Sequence, residues 1–178
     1  MALNMVGTDI LIRFETPADE ADIREVTMQA FADQTNAEGT EQDIIDALRM
    51  RNALSVSLVA DRGGRILGHV AFSPASPEDG TTGWYTLGPV SVAPEVQRQG
   101  IGHELITAGL ARLRETGAAG CIVVGDTNYY SRFGFVKAPR LAPPGGIEEH
   151  FMVLCFGGPA PDCVINFHDA FLDPTRRN

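Results

Sequence analysis

Residues Leu87 to Gly102, LGPVSVAPEVQRQGIG, carry the chemistry that stands out first in this chain. An apolar run passes through a tight turn into a helical pattern, and a strand that opens onto a helix through glycines is suited to holding phosphate. The start of a helix leaves backbone N–H groups without intrahelical acceptors, and the peptide dipoles add partial positive charge there, so an anion is favoured at that end. Gly100 and Gly102 lack a Cβ and let a pyrophosphate come close to the main chain. Arg98 adds one charge-assisted contact.

Three phosphate chemistries compete for such a turn, and inspection separates them. A P-loop ends in Gly-Lys-Ser/Thr, whereas Gly102 is followed by His103-Glu104. A dinucleotide fingerprint needs a third glycine where Leu105 stands, and the strand ahead of it is interrupted by Gly88-Pro89. A coenzyme A site is the reading left. Cys121, Cys155 and Cys163 are widely spaced and mostly set in apolar runs, which reads as small core residues in a reducing compartment. His69, His103, His150 and His168 show no pairing at ligand spacing, so no metal is expected.

These residues need a scaffold, and 178 residues suit one domain with one core. Ile10, Leu11, Ile12 and Phe14 place a first strand over Thr8 to Phe14. Thr16 caps the helix that follows, Pro17 takes its first position, and Ile23, Val26 and Ala30 give it an apolar face. A second helix is predicted from Gly39-Thr40 to about Arg51, with Ile44, Ile45 and Leu48 inward. The polar segment between them, Phe31 to Glu38, reads as a loop.

Ser55 to Ala60 and Arg65 to Phe72 form an antiparallel hairpin about Asp61-Arg62-Gly63-Gly64. Ser73 to Gly83, with its prolines and glycines, reads as loop before the strand Trp84 to Val92. Within that strand Gly88-Pro89 predicts a bulge, which splays neighbouring strands and frees backbone groups. A helix over Gly102 to Thr116 follows, with Leu105, Ile106, Leu110 and Leu113 on one side and Gly109 as a blemish. Cys121 to Val124 fits a buried parallel strand. Asp126 to Arg132 makes a short helix or turn, and a strand after Phe135 pairs with Phe151 to Phe156 across the Pro-rich segment Pro139 to Gly146. Cys163 to Phe167 adds a last strand.

In this context the chain resembles the GCN5-related N-acetyltransferase (GNAT) family, whose pyrophosphate signature is Gln or Arg, two residues, Gly, one residue, then Gly or Ala. Gln97, Gly100 and Gly102 match it, and Tyr130-Ser131-Arg132-Phe133-Gly134-Phe135 looks like the family's later tyrosine and Gly-Phe pair. LGPVSV together with GDTNYYSRFGF resembles most closely the bacterial subgroup called YhbS-like. The resemblance implies an α/β (α+β) fold: a central mixed, mostly antiparallel sheet splayed at a bulge and flanked by helices. The single domain would have its core at about 8–156, with a C-terminal strand and tail over 157–178.

By position the resemblance implies that Val90 N–H faces the thioester carbonyl and that Val92 pairs its backbone with the pantetheine arm, with Ser91 between them. Arg98, Gly100 and Gly102 would offer N–H groups to the pyrophosphate, with Gln97, Gln99 and Ile101 forming the turn. Tyr130 would protonate the leaving thiolate. The chemistry agrees: direct attack of an amine on a thioester passes through a tetrahedral intermediate and needs an N–H for the oxyanion and a proton for sulfur. A tyrosine, with a reference pKa near ~10, can share a proton with an alkyl thiolate whose own is near ~8.5. Tyr129 is the alternative acid if the register is off by one.

Many relatives carry a glutamate on the bulged strand as base, but Trp84 to Val92 contains no carboxylate. Asp126, Glu38 and His69 are the candidates, with Asp126 read first as a cap and His69 as a structural histidine. The expected reaction moves acetyl from acetyl-CoA to a primary amine, of a small molecule or of a protein lysine or N-terminus. A coenzyme A sensor without turnover is the alternative. The formal net charge of -9 excludes a nucleic-acid groove and an anionic membrane surface as partners. The N-terminus lacks the pattern of a secretory signal, so a cytoplasmic monomer or homodimer is expected.

Overall fold

Asp61 to Gly64 turns the chain tightly between β3 (Val56–Arg62) and β4 (Arg65–Pro77), the antiparallel pair around which the sheet is built. Gly63 and Gly64 have φ of 60° and 92°, the left-handed pair that a two-residue hairpin demands, and the Gly64 N–H donates to Asp61 Oδ1 at 2.7 Å. The computed structural model describes residues 2–6, 9–32 and 39–175, the first five by their backbone alone. The remaining strands are β1 (Ala2–Val6), β2 (Ile10–Phe14), β5 (Trp84–Val92), β6 (Gly120–Val124), β7 (Val136–Lys137), β8 (Phe151–Cys155) and β9 (Ile165–Asn166). Their order is β1-β2-β3-β4-β5-β6-β8-β7, with β9 added to the far end of β4. Every pairing is antiparallel except β5 with β6.

The helices are α1 (Glu20–Phe31), α2 (Glu41–Met50), α3 (Ile101–Glu115) and the single turn α4 (Thr127–Tyr130). Pro17 opens a 3-10 turn that leads into α1, and the N–H and hydroxyl of Thr16 both donate to Asp19, at 2.7 and 2.9 Å. Side chains alternate across a strand, and the two faces of β4 and β5 receive different helices. On one face Gly68 and Phe72 lie against α3. On the other, Ser91 Oγ is 3.2 Å from Thr27 Oγ1 of α1. Gly109 is explained by this packing: a Cβ there would fall 2.1 Å from Cε2 of Phe72, so the aromatic ring occupies the space that a side chain would take.

The fold departs from the sequence reading in four places. β1 precedes the strand expected first, pairing Val6 with Ile10, while Thr8 lies outside the described residues. β4 does not stop at Phe72 but continues to Pro77, through two prolines. Its partner β3 ends opposite Phe72, so from Ser73 onward one side of β4 has left the β3 ladder and proline is tolerated. α3 begins at Ile101 rather than Gly102. Cys121 is buried as expected, but Cys155, the last residue of β8, is exposed and Cys163 is intermediate. Among the described residues no helix is long and apolar enough to cross a membrane.

Candidate active site

The bulge in β5 creates the site. Leu87 pairs with Phe72 and Val90 with Val70, so Gly88 and Pro89 face a single residue of β4 and the ladder slips by one. On its other side β5 keeps β6 only from Trp84 to Thr86. Beyond Thr86 the two strands diverge. The Ala93 N–H donates to Leu67 O of β4 at 2.8 Å, and because amides alternate along a strand, those of Val92 and Val90 face the opposite, unpaired edge.

That edge runs into a cleft of about 790 Å³ lined by Val90, Val92, Gln97, Arg98, Gly100 and Gly102. Gln97 shapes its rim by donating Nε2–H to Val92 O at 3.0 Å. Arg98 and Gly100 both adopt the left-handed conformation, with φ of 60° and 91°. For Arg98 this is a conformation that side chains other than glycine's rarely adopt, and it turns the chain sharply at the rim of the cleft. The turn delivers the chain to α3, whose first intrahelical bond is Glu104 N–H to Gly100 O at 3.0 Å. The amides of Ile101 to His103 therefore have no acceptor upstream in the helix. Arg132, which the sequence reading did not single out, also lines this cleft, so two guanidinium groups serve it in an acidic chain. It stood within the Tyr130 to Phe135 motif and could have been found there.

A second cleft, of about 860 Å³, adjoins the first, with Val90 and Tyr129 in the walls of both. Tyr130 lines the second one only. Its ring lies against Gly125, where a Cβ would be 2.5 Å from Tyr130 Cε2, and edge-on to Phe135 with centroids 6.1 Å apart. Burial, with Tyr129 beside it, raises the Tyr130 pKa above the usual phenol value, so the hydroxyl holds its proton at neutral pH. Tyr129 is shifted the same way by burial, and its hydroxyl reaches the backbone of Gly102, 3.3 Å from where a Cβ would stand.

The other candidates are dispersed. The Ser91 side chain turns inward to Thr27, Gln99 is exposed, and Ile101 is buried in the core, so none of these side chains lines either cleft. Asp126 borders the second cleft but also caps α4, accepting from the N–H groups of Asn128 and Tyr129. Glu38 lies outside the described residues. His69 is fully buried away from both clefts, with Nε2 2.7 Å from Ser57 Oγ, and the Ser57 hydroxyl donates to Glu15. Glu41, at the start of α2, borders the second cleft and was not singled out in the sequence. Among the described residues no group of three or more His, Cys, Asp or Glu is placed to hold a metal ion.

Known proteins resemble this chain in sequence and in fold. The sequence matches the Acetyltransferase (GNAT) family over residues 21–135. It is 34% identical over 130 residues, 72% of this chain and 75% of the relative, to the protein named "uncharacterized N-acetyltransferase YhbS" of Escherichia coli strain K12. The crystal structure of a GNAT family acetyltransferase from Brucella melitensis in complex with acetyl-CoA is 46% identical, with a TM-score of 0.82 over 91% of this chain and 97% of that one. That of YhbS from Escherichia coli in complex with CoA is 28% identical, with a TM-score of 0.83 over 95% of each chain. A sheet opened at a bulge, a glycine turn feeding a helix, and these likenesses in sequence and shape lead to one conclusion: the chain belongs to the GNAT acetyltransferase family and is a relative of YhbS.

Proposed function

We propose that the protein transfers the acetyl group of acetyl-CoA directly to a primary amine, with the coenzyme in the cleft beside α3 and the amine in the adjoining one. One observation carries the reading: the two clefts meet at Val90, whose amide faces the gap between β5 and β6. The relatives crystallised with acetyl-CoA and CoA support the choice of donor. The residues of the first cleft suit that donor. The amides of Ile101 to His103 at the start of α3, together with Arg98 and Arg132, favour a diphosphate, and the unpaired edge of Val90 and Val92 can bond an extended amide-containing arm as a strand would.

Within this reading Val90 N–H receives the oxygen of the thioester carbonyl as negative charge develops there. The amine, having lost one proton to solvent, attacks the carbonyl carbon; the C–N bond forms, the C–S bond breaks, and the electron pair leaves on sulfur. Tyr130 gives its proton to that sulfur and regains one from water. The second nitrogen proton leaves through water past Glu41 and Asp126. The balance is acetyl-CoA and an ammonium giving an amide, free coenzyme A and one proton.

Tyr130→Phe and Tyr129→Phe test the assignment side by side in a thiol-release assay with acetyl-CoA. The expected result is a loss in kcat on the order of a hundredfold for Tyr130→Phe with the KM for acetyl-CoA held within about twofold. The reverse pattern transfers the role to Tyr129. Tight binding of acetyl-CoA without turnover of any small or peptide amine replaces the enzyme with a coenzyme sensor.

A further inference from the structure

One part of the second cleft, including Phe167 and Phe171, is built by chain that lies beyond residue 135, where the family match ends. β9 docks on β4, with Ile165 fully buried, and this fixes Phe167. The Phe167 ring sits 6.1 Å from that of Phe151 and 5.7 Å from that of Phe171. One residue before Phe171, Ala170 is fully buried against Ala47, Leu48 and Ala53, and its N–H donates to His168 Nδ1 at 3.1 Å. The aromatic wall is therefore anchored at both ends.

Phe31 and Ile44 also line the cleft, and Ile44 packs with Phe171 on the cluster around Ala170. Among the described residues that line the cleft the charged side chains are two carboxylates, Glu41 and Asp126, with no Lys, Arg or His. Such a space favours a positive head and an apolar body, and it disfavours an anion or a long hydrophilic chain.

We propose that the acceptor is a small primary amine borne on an aromatic or similarly bulky apolar group, which lies along Phe167 and Phe171 with its ammonium drawn toward Glu41 and Asp126. The inference rests on reading this cleft as the acceptor side of an acetyltransferase. The ring would displace water from the wall, while the carboxylates hold the ammonium near Val90 until it deprotonates. A hydrophilic polyamine would satisfy the charge but leave the apolar wall uncovered, and a protein lysine would present its backbone to an apolar surface.

The experiment compares phenethylamine and tryptamine with ethanolamine, spermidine and a lysine-containing basic peptide, by thiol release with acetyl-CoA and by calorimetry on protein saturated with free coenzyme A. Expected are a kcat/KM at least about tenfold higher for the aryl-alkyl amines and a rise of about tenfold in their KM in Phe171→Ala, while the KM for acetyl-CoA is unchanged. Phe171→Leu should recover most of that loss. Turnover that is equal across the panel, or greatest for spermidine or the peptide, overturns this inference and leaves the acetyltransferase intact. Absence of both turnover and calorimetric binding for every amine, with coenzyme bound, overturns both, whereas binding of the aryl amines alone without turnover overturns the acetyltransferase and keeps the cleft's preference.

Discussion

Gly125 sits so close to Tyr130 that the two positions are one unit. A Cβ at residue 125 would lie 2.5 Å from Tyr130 Cε2, inside any tolerable contact, so Gly125→Ala must move the ring or the strand end that carries it. The substitution is expected to lower kcat about tenfold with little change in coenzyme affinity, because the glycine turn at residues 97–102 lies on other elements. Steady-state kinetics with a calorimetric titration of coenzyme A checks it. An unchanged kcat would remove Tyr130 from the reaction. Asp126 acts at the same end through structure, since its carboxylate caps α4 and so orients both tyrosines.

Among the elements, α3 does two jobs with opposite demands: its N-terminus stays open to the cleft while its body packs tightly on the sheet. Gly109 is where the second job shows. Alanine is the better helix former by about 1 kcal/mol, but here its methyl would meet Phe72 Cε2 at 2.1 Å, and overpacking costs about 1–3 kcal/mol. Gly109→Ala is thus expected to destabilise the protein, read as a lower denaturant midpoint with an unchanged m-value, while Gly109→Ala paired with Phe72→Leu recovers part of the loss.

This separates what the sequence made legible from what it did not. The bulge at Gly88-Pro89, the turn at Gln97 to Gly102 and the hairpin at Gly63-Gly64 are local, because proline and glycine constrain the backbone wherever they stand. Gly109 looked like a flaw since its partner is 37 positions away in Phe72. Pro74 and Pro77 looked like strand breakers because the rule against proline presumes a strand flanked on both sides, and β4 has lost β3 by then. The aromatic wall of the second cleft had no periodicity to betray it, for Phe167 and Phe171 come together only through tertiary docking, and Glu41 resembles any acidic residue in a first helical turn.

At the scale of the whole molecule, a buried polar network ties three strands to a helix. Glu15, just after β2, accepts hydrogen bonds from Arg49 of α2 and from the Ser57 hydroxyl of β3, and His69 of β4 stands behind Ser57. Burial alone would raise the Glu15 carboxyl, but hydrogen bonds from His69, Arg49 and Ser57 outweigh it and hold the pKa at about 2. A carboxyl depressed on folding adds stability that is present above its unfolded pKa and is lost as pH falls through the folded value, here from about 4.5 to about 2. His69 is shifted down by burial, so the unfolded chain binds its proton first and stability already declines below about pH 6.5. Both act with the same sign. Thermal unfolding across this range should show Tm falling steadily with acid, and Glu15→Gln should lower Tm at pH 7 while flattening the limb below about 4.5. A limb as steep as that of the parent would remove Glu15 as its source.

The meeting of two clefts at Val90 and Tyr129 has a consequence for traffic. With two clefts that share a wall, donor and acceptor of the proposed reaction would arrive without queuing behind one another, and each spent half would depart by the door through which it came. On the proposed reading the acetyl group would cross once, between two guests held side by side, and the host would never need to carry it.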